Sequence, residues 1–331
     1  MNKTLRHQQL FDLIQQGLDQ LNLPDTPGLL YDPVRYTLEL SGKRVRPYFT
    51  LLGCGMCGGN VRESIPAALS MELLHNFTLL HDDIMDAAET RRGKPSVFKK
   101  WDPSTAILSG DVMFTCAFEQ LQYYGTDDRY AKQQYAAIID IFLDSAKRVC
   151  EGQAYDLEFE QRDRVTVEEY LEMVKGKTAA LISGSLMLGG AVAGADNQAL
   201  KQLNDLGTAA GSAFQIQDDL LDLFADPSKF GKTPGGDIME GKKTYLSILA
   251  LQRGNKRQRN ELREILGVKD ATEEEIRRVV SIYKELGVVD ETREKIAHLY
   301  GRAEDLMERF PSTEYREELL NYLLKLKNRE F

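Results

Sequence analysis

The sequence predicts an all-α fold, a helical bundle whose site is built from side chains on facing helices. Three observations carry this expectation. Apolar residues recur at helical spacing along most of the chain, and alternating strand patterns bounded by turn signals are scarce. No proline lies between Pro103 and Pro227, which favours long helices because proline removes a backbone donor and clashes with the preceding turn. The C-terminal part carries recognisable helix starts and stops. No Ser/Gly/Pro-rich linker, low-complexity tract or internal repeat interrupts the 331 residues, apart from the aspartate motif described below. Residues 1–331 are therefore expected to form a single domain with a sizeable buried core.

Taken in order, the first ten residues, Met1 to Leu10, hold no apolar stretch of signal-peptide type, so a soluble, cytoplasmic protein is expected. Gly125, Gly152, Gly176 and the Gly189-Gly190 pair read as punctuation between helices. The low-charge stretch from Ala179 to Ala195 is rich in Gly, Ser and Ala and slightly short for a membrane span. It reads as a tightly packed helix, with no integral membrane segment expected. Thr272-Glu273-Glu274-Glu275 is a capping box. Ile276, Val279, Val280, Tyr283 and Leu286 follow at helical spacing, and Gly287 is the expected stop. A further helix is expected from about Asp290 to Phe310, and a last one with Leu319, Leu320, Leu323, Leu324 and Leu326 after the break at Pro311.

A formal charge of -9 argues against nucleic acid as a partner. It does not exclude a small anion, since bound cations can reverse the field at one site. Cys54 and Cys57 form a C-x-x-C, but with four cysteines and four histidines in the chain no second half of a zinc site is evident.

The informative pattern is Asp-Asp-x-x-Asp, which occurs at Asp82-Asp83-Ile84-Met85-Asp86 and again at Asp218-Asp219-Leu220-Leu221-Asp222. On a helix, Asp82 and Asp86 share a face, as do Asp218 and Asp222. Such pairs repel, and both lie among Leu, Ile, Met and Phe, where unpaired charge is costly. Mg2+ is commonly held by one or two carboxylates plus phosphate oxygens. Two clusters facing each other across a bundle are expected to clamp a diphosphate through several Mg2+ ions and neutralise it as a leaving group. EF-hand spacing and its glycine are missing.

Basic residues accompany the aspartates. Lys43 and Arg46 are three apart, so that on a helical turn they could grip one phosphate, the lysine as a point charge and the arginine as a fork. Arg91 and Arg92 follow the first cluster; Lys177-Thr178, Lys232-Thr233 and Lys242-Lys243 place further lysines beside small residues. Together they suggest two anion sites, one with metals and one of basic residues only.

From about residue 35 to 245 the chain resembles the trans-type polyprenyl diphosphate synthases, and most of all their short-chain geranylgeranyl members. The resemblance rests on Gly42-Lys43-Arg44-x-Arg46-Pro47, His75, both aspartate motifs, Arg91-Arg92-Gly93, Lys177-Thr178, Phe214-Gln215, Gly231-Lys232 and Gly236-Asp237. It implies an isoprenoid-synthase-type bundle with a central active-site cavity, and a homodimer. It implies a Mg2+-dependent prenyltransferase that joins isopentenyl diphosphate head to tail to dimethylallyl, geranyl or farnesyl diphosphate. Lys43, Arg46, His75 and Arg92 would hold isopentenyl diphosphate without metal. Arg91, Lys177, Lys232 and Lys242 would hold the allylic diphosphate. Asp82, Asp86, Asp218 and Asp222 would bind Mg2+, about three ions per site. Thr178 and Gln215 would lie near the reacting carbons and, with Lys177, form the catalytic set.

Product length is expected from the helix carrying Asp82. Phe77 precedes it by five residues, about 7.5 Å at the helical rise, and Thr78 is small. In the family this pairing resembles synthases of the twenty-carbon geranylgeranyl diphosphate; the fifteen-carbon farnesyl diphosphate is the alternative. A class I terpene cyclase would replace the second motif. A phosphohydrolase would need more histidines. A non-catalytic synthase subunit would lack one cluster.

Overall fold

The computed structural model describes residues 7–224 and 235–329. The expectation of an all-α chain holds: helices account for 77% of the fold, and the only strands among the described residues are a two-residue pair. The described chain divides into two compact units, each assembled from separate stretches. Among described residues no helix is long and apolar enough to cross a membrane.

The first unit comprises residues 1–146, 181–204 and 310–319. It contains α1 (His7–Asp19), α2 (Gly28–Glu39), α3 (Val45–Met56), α4 (Ile65–Met85), a hairpin of β1 (Thr90–Arg91) and β2 (Lys94–Pro95), α5 (Val97–Lys100) and α6 (Pro103–Thr126). Helix α4 is the central element and packs chiefly on α6 and α3. It is buried nearly all round from Ala67 to Leu74, as its near-continuous apolar sequence requires. Each fully buried leucine, such as Leu73 or Leu74, contributes about 1.5–3 kcal/mol by leaving water.

The second unit comprises residues 147–180, 205–309 and 320–331. It contains α8 (Val167–Val174), a π-helical turn (Lys175–Ala179), α11 (Gly236–Glu240), α12 (Tyr245–Arg253), α13 (Lys256–Ile265), α14 (Glu273–Glu285) and α15 (Val288–Met307). Four helices contribute residues to both units: α7 (Lys132–Glu160), α9 (Ala180–Val192), α10 (Asn197–Phe224) and α16 (Glu314–Lys327). The capping box at Thr272 forms as expected, with Thr272 Oγ1 accepting from the Glu275 N–H. Gly287 supplies the left-handed residue, φ 68°, between α14 and α15.

The glycines correct the sequence reading. Gly152 and the Gly189-Gly190 pair lie inside α7 and α9 rather than between helices. They mark places where backbones meet. A Cβ on Gly189 would overlap Thr50 O of α3, and one on Gly53 would overlap Leu186 O of α9. This explains the small-residue stretch from Ala179 to Ala195. Cys54 and Cys57 are free thiols, pushed up to about 12 and about 11, first by burial.

Candidate active site

In the first unit α4 delivers the first aspartate motif on its last turn. Asp83 is buried, Asp82 half-buried and Asp86 exposed. Asp82 and Asp86 lie one turn apart on one face. Asp83 is engaged elsewhere: Arg91 donates to its Oδ1 from Nε at 2.8 Å and again from Nη2. Burial raises the Asp83 carboxyl and Arg91 draws it back down.

The hairpin explains how Arg91 reaches this point. Thr90 pairs with Pro95 and Arg91 with Lys94. Arg92 and Gly93 form the turn with φ of 53° and 74°, the double left-handed geometry that matches strand twist. Arg92 then lies over the loop before α3. Its Nη1 donates to Leu40 O at 3.3 Å, and a Cβ on Gly42 would come within 2.7 Å of that nitrogen. The glycine that opens the basic run thus makes room for the Arg92 guanidinium.

Arg44 is structural. Left-handed at φ 46°, it donates to Glu72 Oε1 at 2.6 Å in a buried pair and to Leu38 O. His75 lies among cations. Burial first, and then the guanidiniums of Arg46, Arg92, Arg91 and Arg44, hold its imidazole well below the ordinary range. At neutral pH it is an uncharged hydrogen-bonding group in the field of these guanidiniums, two of which already face carboxylates, Arg44 at Glu72 and Arg91 at Asp83. Of the residues expected to hold isopentenyl diphosphate, the structure brings Arg46, His75 and Arg92 together. Lys43 is exposed in the loop next to Gly42.

Phe77 lies below the motif in a run of rings. It meets His81 at 4.7 Å and Phe114 at 5.5 Å, and Phe114 meets Phe142 at 5.9 Å. Thr78 turns back on the helix, donating to His75 O at 2.8 Å. His81, although adjacent to Asp82, is turned onto α6: its Nε2 is 3.2 Å from Ile107 O, and it packs where a side chain at Gly110 would sit.

In the second unit five aspartates, Asp156, Asp218, Asp219, Asp222 and Asp237, line one cavity of about 240 Å3 together with Lys177, Lys242 and Lys243. Asp219 is wired inward. Thr178 donates to Gln215 Oε1 at 2.6 Å, Gln215 Nε2 donates to Asp219 Oδ1 at 2.9 Å, and Tyr170 donates to Asp219 Oδ2 at 2.6 Å. Asp222 Oδ2 accepts the Asp237 N–H at 2.9 Å at the start of α11. Asp218 Oδ1 is 3.1 Å from Arg329, whose guanidinium lies 4.5 Å over the Phe214 ring.

Lys177 sits on the π-helical turn, an insertion often found at functional sites. A Cβ on Gly152 would overlap Lys177 N, and one on Gly176 would lie 2.8 Å from Arg148 O. This close backbone approach seats Lys177 against Asp156, one turn beyond Gly152, as an ion pair. Lys242 reaches Glu240 at 2.6 Å and Asp237 at 3.7 Å. Lys232 lies outside the described residues.

Carboxylates outnumber ammoniums in this cavity. Burial, and then the charges of Asp219 and Asp222, push Asp237 up to about 8; Asp219 rises to about 6, chiefly by burial. Added cations would relieve this crowding. Among the described residues no three His, Cys, Asp or Glu side chains converge closely enough to hold a metal ion alone. Asp218 and Asp222, one turn apart in the cavity lining, are the hard oxygen donors that Mg2+ takes together with water and phosphate oxygens.

Sequence reasoning missed Asp156, Tyr170 and Arg329. Asp156 is one of several acids on α7, and nothing but its distance from Gly152 sets it apart. Arg329 lies in a stretch readable only as amphipathic helix.

The chain matches the polyprenyl synthetase family over residues 27–283. The geranylgeranyl diphosphate synthase of Methanosarcina mazei is 38% identical over 277 residues, covering 84% of this chain and 82% of that protein. The geranylfarnesyl diphosphate synthase of Aeropyrum pernix is 37% identical over 302 residues, covering 90% and 93%. Among solved structures, geranylgeranyl pyrophosphate synthetase from Pyrococcus horikoshii aligns with a TM-score of 0.90 at 35% identity, covering 98% of this chain and 99% of that one.

Proposed function

Since the chain belongs to the polyprenyl synthetase family and is a prenyltransferase of isopentenyl and allylic diphosphates, we propose that its product is geranylgeranyl diphosphate. The length rests on the rings that back Phe77, and the observation that carries the condensation is the contrast between two anion-binding chemistries. One is a set of guanidiniums around a neutral His75; the other is an aspartate-lined cavity short of cations.

Arg46, His75 and Arg92, with Lys43 from the loop, would hold isopentenyl diphosphate directly. A neutral His75 adds a hydrogen bond without adding charge. Arg91, Lys177, Lys242 and Lys232 would hold the allylic diphosphate. The family depends on Mg2+; Asp82, Asp86, Asp218 and Asp222 would hold it, about three ions per site. When bound, Mg2+ neutralises the diphosphate as its bond to carbon breaks. Asp83 and Asp219 are positioning residues, the first for Arg91 and the second for Gln215. The Gln215 amide gives its N–H to Asp219, which fixes the direction of its carbonyl. That carbonyl and the Thr178 hydroxyl present neutral dipoles to positive charge developing on the allylic carbons.

Phe77, backed by Phe114 and Phe142, would stop the growing tail. Incubating the protein with isopentenyl diphosphate, each allylic diphosphate and Mg2+, with chromatography of the products, tests both parts. A twenty-carbon product is expected, and longer products from Phe77→Ala. A fifteen- or twenty-five-carbon product, or an unchanged pattern from Phe77→Ala, would overturn the length assignment and leave the condensation standing.

A cytoplasmic homodimer is part of the same proposal. Ile107 and Leu108 on α6 and Leu143 on α7 are 45%, 55% and 45% exposed, large apolar side chains that a second copy would cover. Sedimentation at micromolar concentration should give the mass of two chains; a monomer at that concentration sinks the assembly.

A further inference from the structure

The second unit holds another cavity, of about 280 Å3, that plays no part in the chemistry above. Four cations line it, Arg164 from the loop before α8, Lys243, and Arg259 and Arg263 from α13, against a single carboxylate, Asp163. Val165, Ile248 and Leu251 supply an apolar wall.

These cations differ from their neighbours. Arg162 pairs with Glu169 at 2.7 Å, Arg257 with Glu261 at 2.8 Å, and Arg278 with Glu261 at 2.7 Å. Arg164, Lys243, Arg259 and Arg263 make no ion pair or side-chain hydrogen bond among the described residues. Arg259 and Arg263 lie one turn apart on one face of α13, an arrangement that costs an isolated helix stability. Arg164 and Arg263 are exposed and Lys243 and Arg259 half-buried, so solvent screens part of this like charge and a bound anion would offset the rest. Guanidinium forks suit phosphate oxygens. Lys243 also lines the aspartate cavity, so the two cavities share a wall.

We propose that this cavity is a second diphosphate site, separate from the condensing site, that takes a diphosphate group with or without a prenyl tail. The choice of diphosphate rests on the reading that this chain turns over prenyl diphosphates. The reaction offers two sources, the released inorganic diphosphate and the prenyl diphosphate product.

Equilibrium dialysis of the full chain with labelled inorganic diphosphate in EDTA counts sites that need no metal. The native protein should show two classes, the isopentenyl diphosphate site and this one. Arg259→Glu/Arg263→Glu should lose one class, weakened about tenfold or more, while its initial condensation rate at saturating substrate stays native. Arg259→Lys/Arg263→Lys should retain the class. Lys269→Glu/Arg309→Glu makes the same charge change outside the cavity and should keep both classes. Unchanged binding in the first variant, or equal loss in the control, overturns the site. If the first variant does not fold, Arg164→Ala asks the same question with one charge. A native chain that condenses nothing would sink the functional reading without altering the count of sites. Repeating the dialysis with geranylgeranyl diphosphate identifies the source: tighter binding points to the product, equal binding to the leaving group.

Discussion

Within each five-residue motif the aspartates differ in their partners. The outer pair lies one turn apart on a common face, while the middle one is held by side chains from other elements or the next turn: Asp83 by Arg91, Asp219 by Tyr170 and Gln215. Asp82→Ala and Asp218→Ala should therefore each cut turnover by about 100-fold or more while leaving circular dichroism and thermal midpoint close to native. Near-native rates in saturating Mg2+ would refute the metal-holding role. The motifs were legible in the sequence because a repeated charge pattern amid apolar residues has few structural uses. The partners of the middle carboxylates were not. Helical spacing says that Asp82 and Asp86 share a face, but nothing in it says that a guanidinium eight residues on, or a phenol forty-nine residues back, holds the middle carboxylate. Arg329 on Asp218 was equally invisible, since a lone arginine after an amphipathic helix carries no pattern.

At the scale of elements, close backbone contact places Lys177. The π-helical turn at Lys177 meets α7 through Gly152 and Gly176. A methyl at Gly152 has no room beside Lys177 N, so Gly152→Ala should cost about 3 kcal/mol through overpacking and displace Lys177 from Asp156. Calorimetry should show the lowered midpoint, and rate assays a lower kcat with no charge removed. A native kcat would show that the seating of Lys177 is not critical. Helix starts and stops such as Thr272 and Gly287 were readable because capping chemistry is local. The mid-helix glycines were misread as breaks because a missing Cβ serves a turn and a close approach alike; only the facing backbone tells them apart.

At the scale of the molecule, uncompensated carboxylates couple stability to pH and metal. Asp219 and Asp237 are raised in the folded protein above their unfolded values, so the native state binds more protons and stability falls as pH rises through that range. His75 is depressed and acts in the opposite sense, but only below its unfolded value of about 6.5. Asp219, raised to about 6, has largely titrated by pH 6.5, so between there and about 8 the fall is carried chiefly by Asp237. The thermal midpoint in EDTA should fall across this window, and Mg2+ with inorganic diphosphate should raise it more at the upper end than at the lower. A flat or rising midpoint in EDTA would contradict the crowding of charge. The two compact units are interleaved in sequence: residues 147–180 and 205–309 of the second alternate with 181–204 and 310–319 of the first. A ribosome delivering this chain from its N-terminus can therefore complete neither unit until α16 has emerged, and a premature stop codon before residue 310 leaves two unfinished cores rather than one working half.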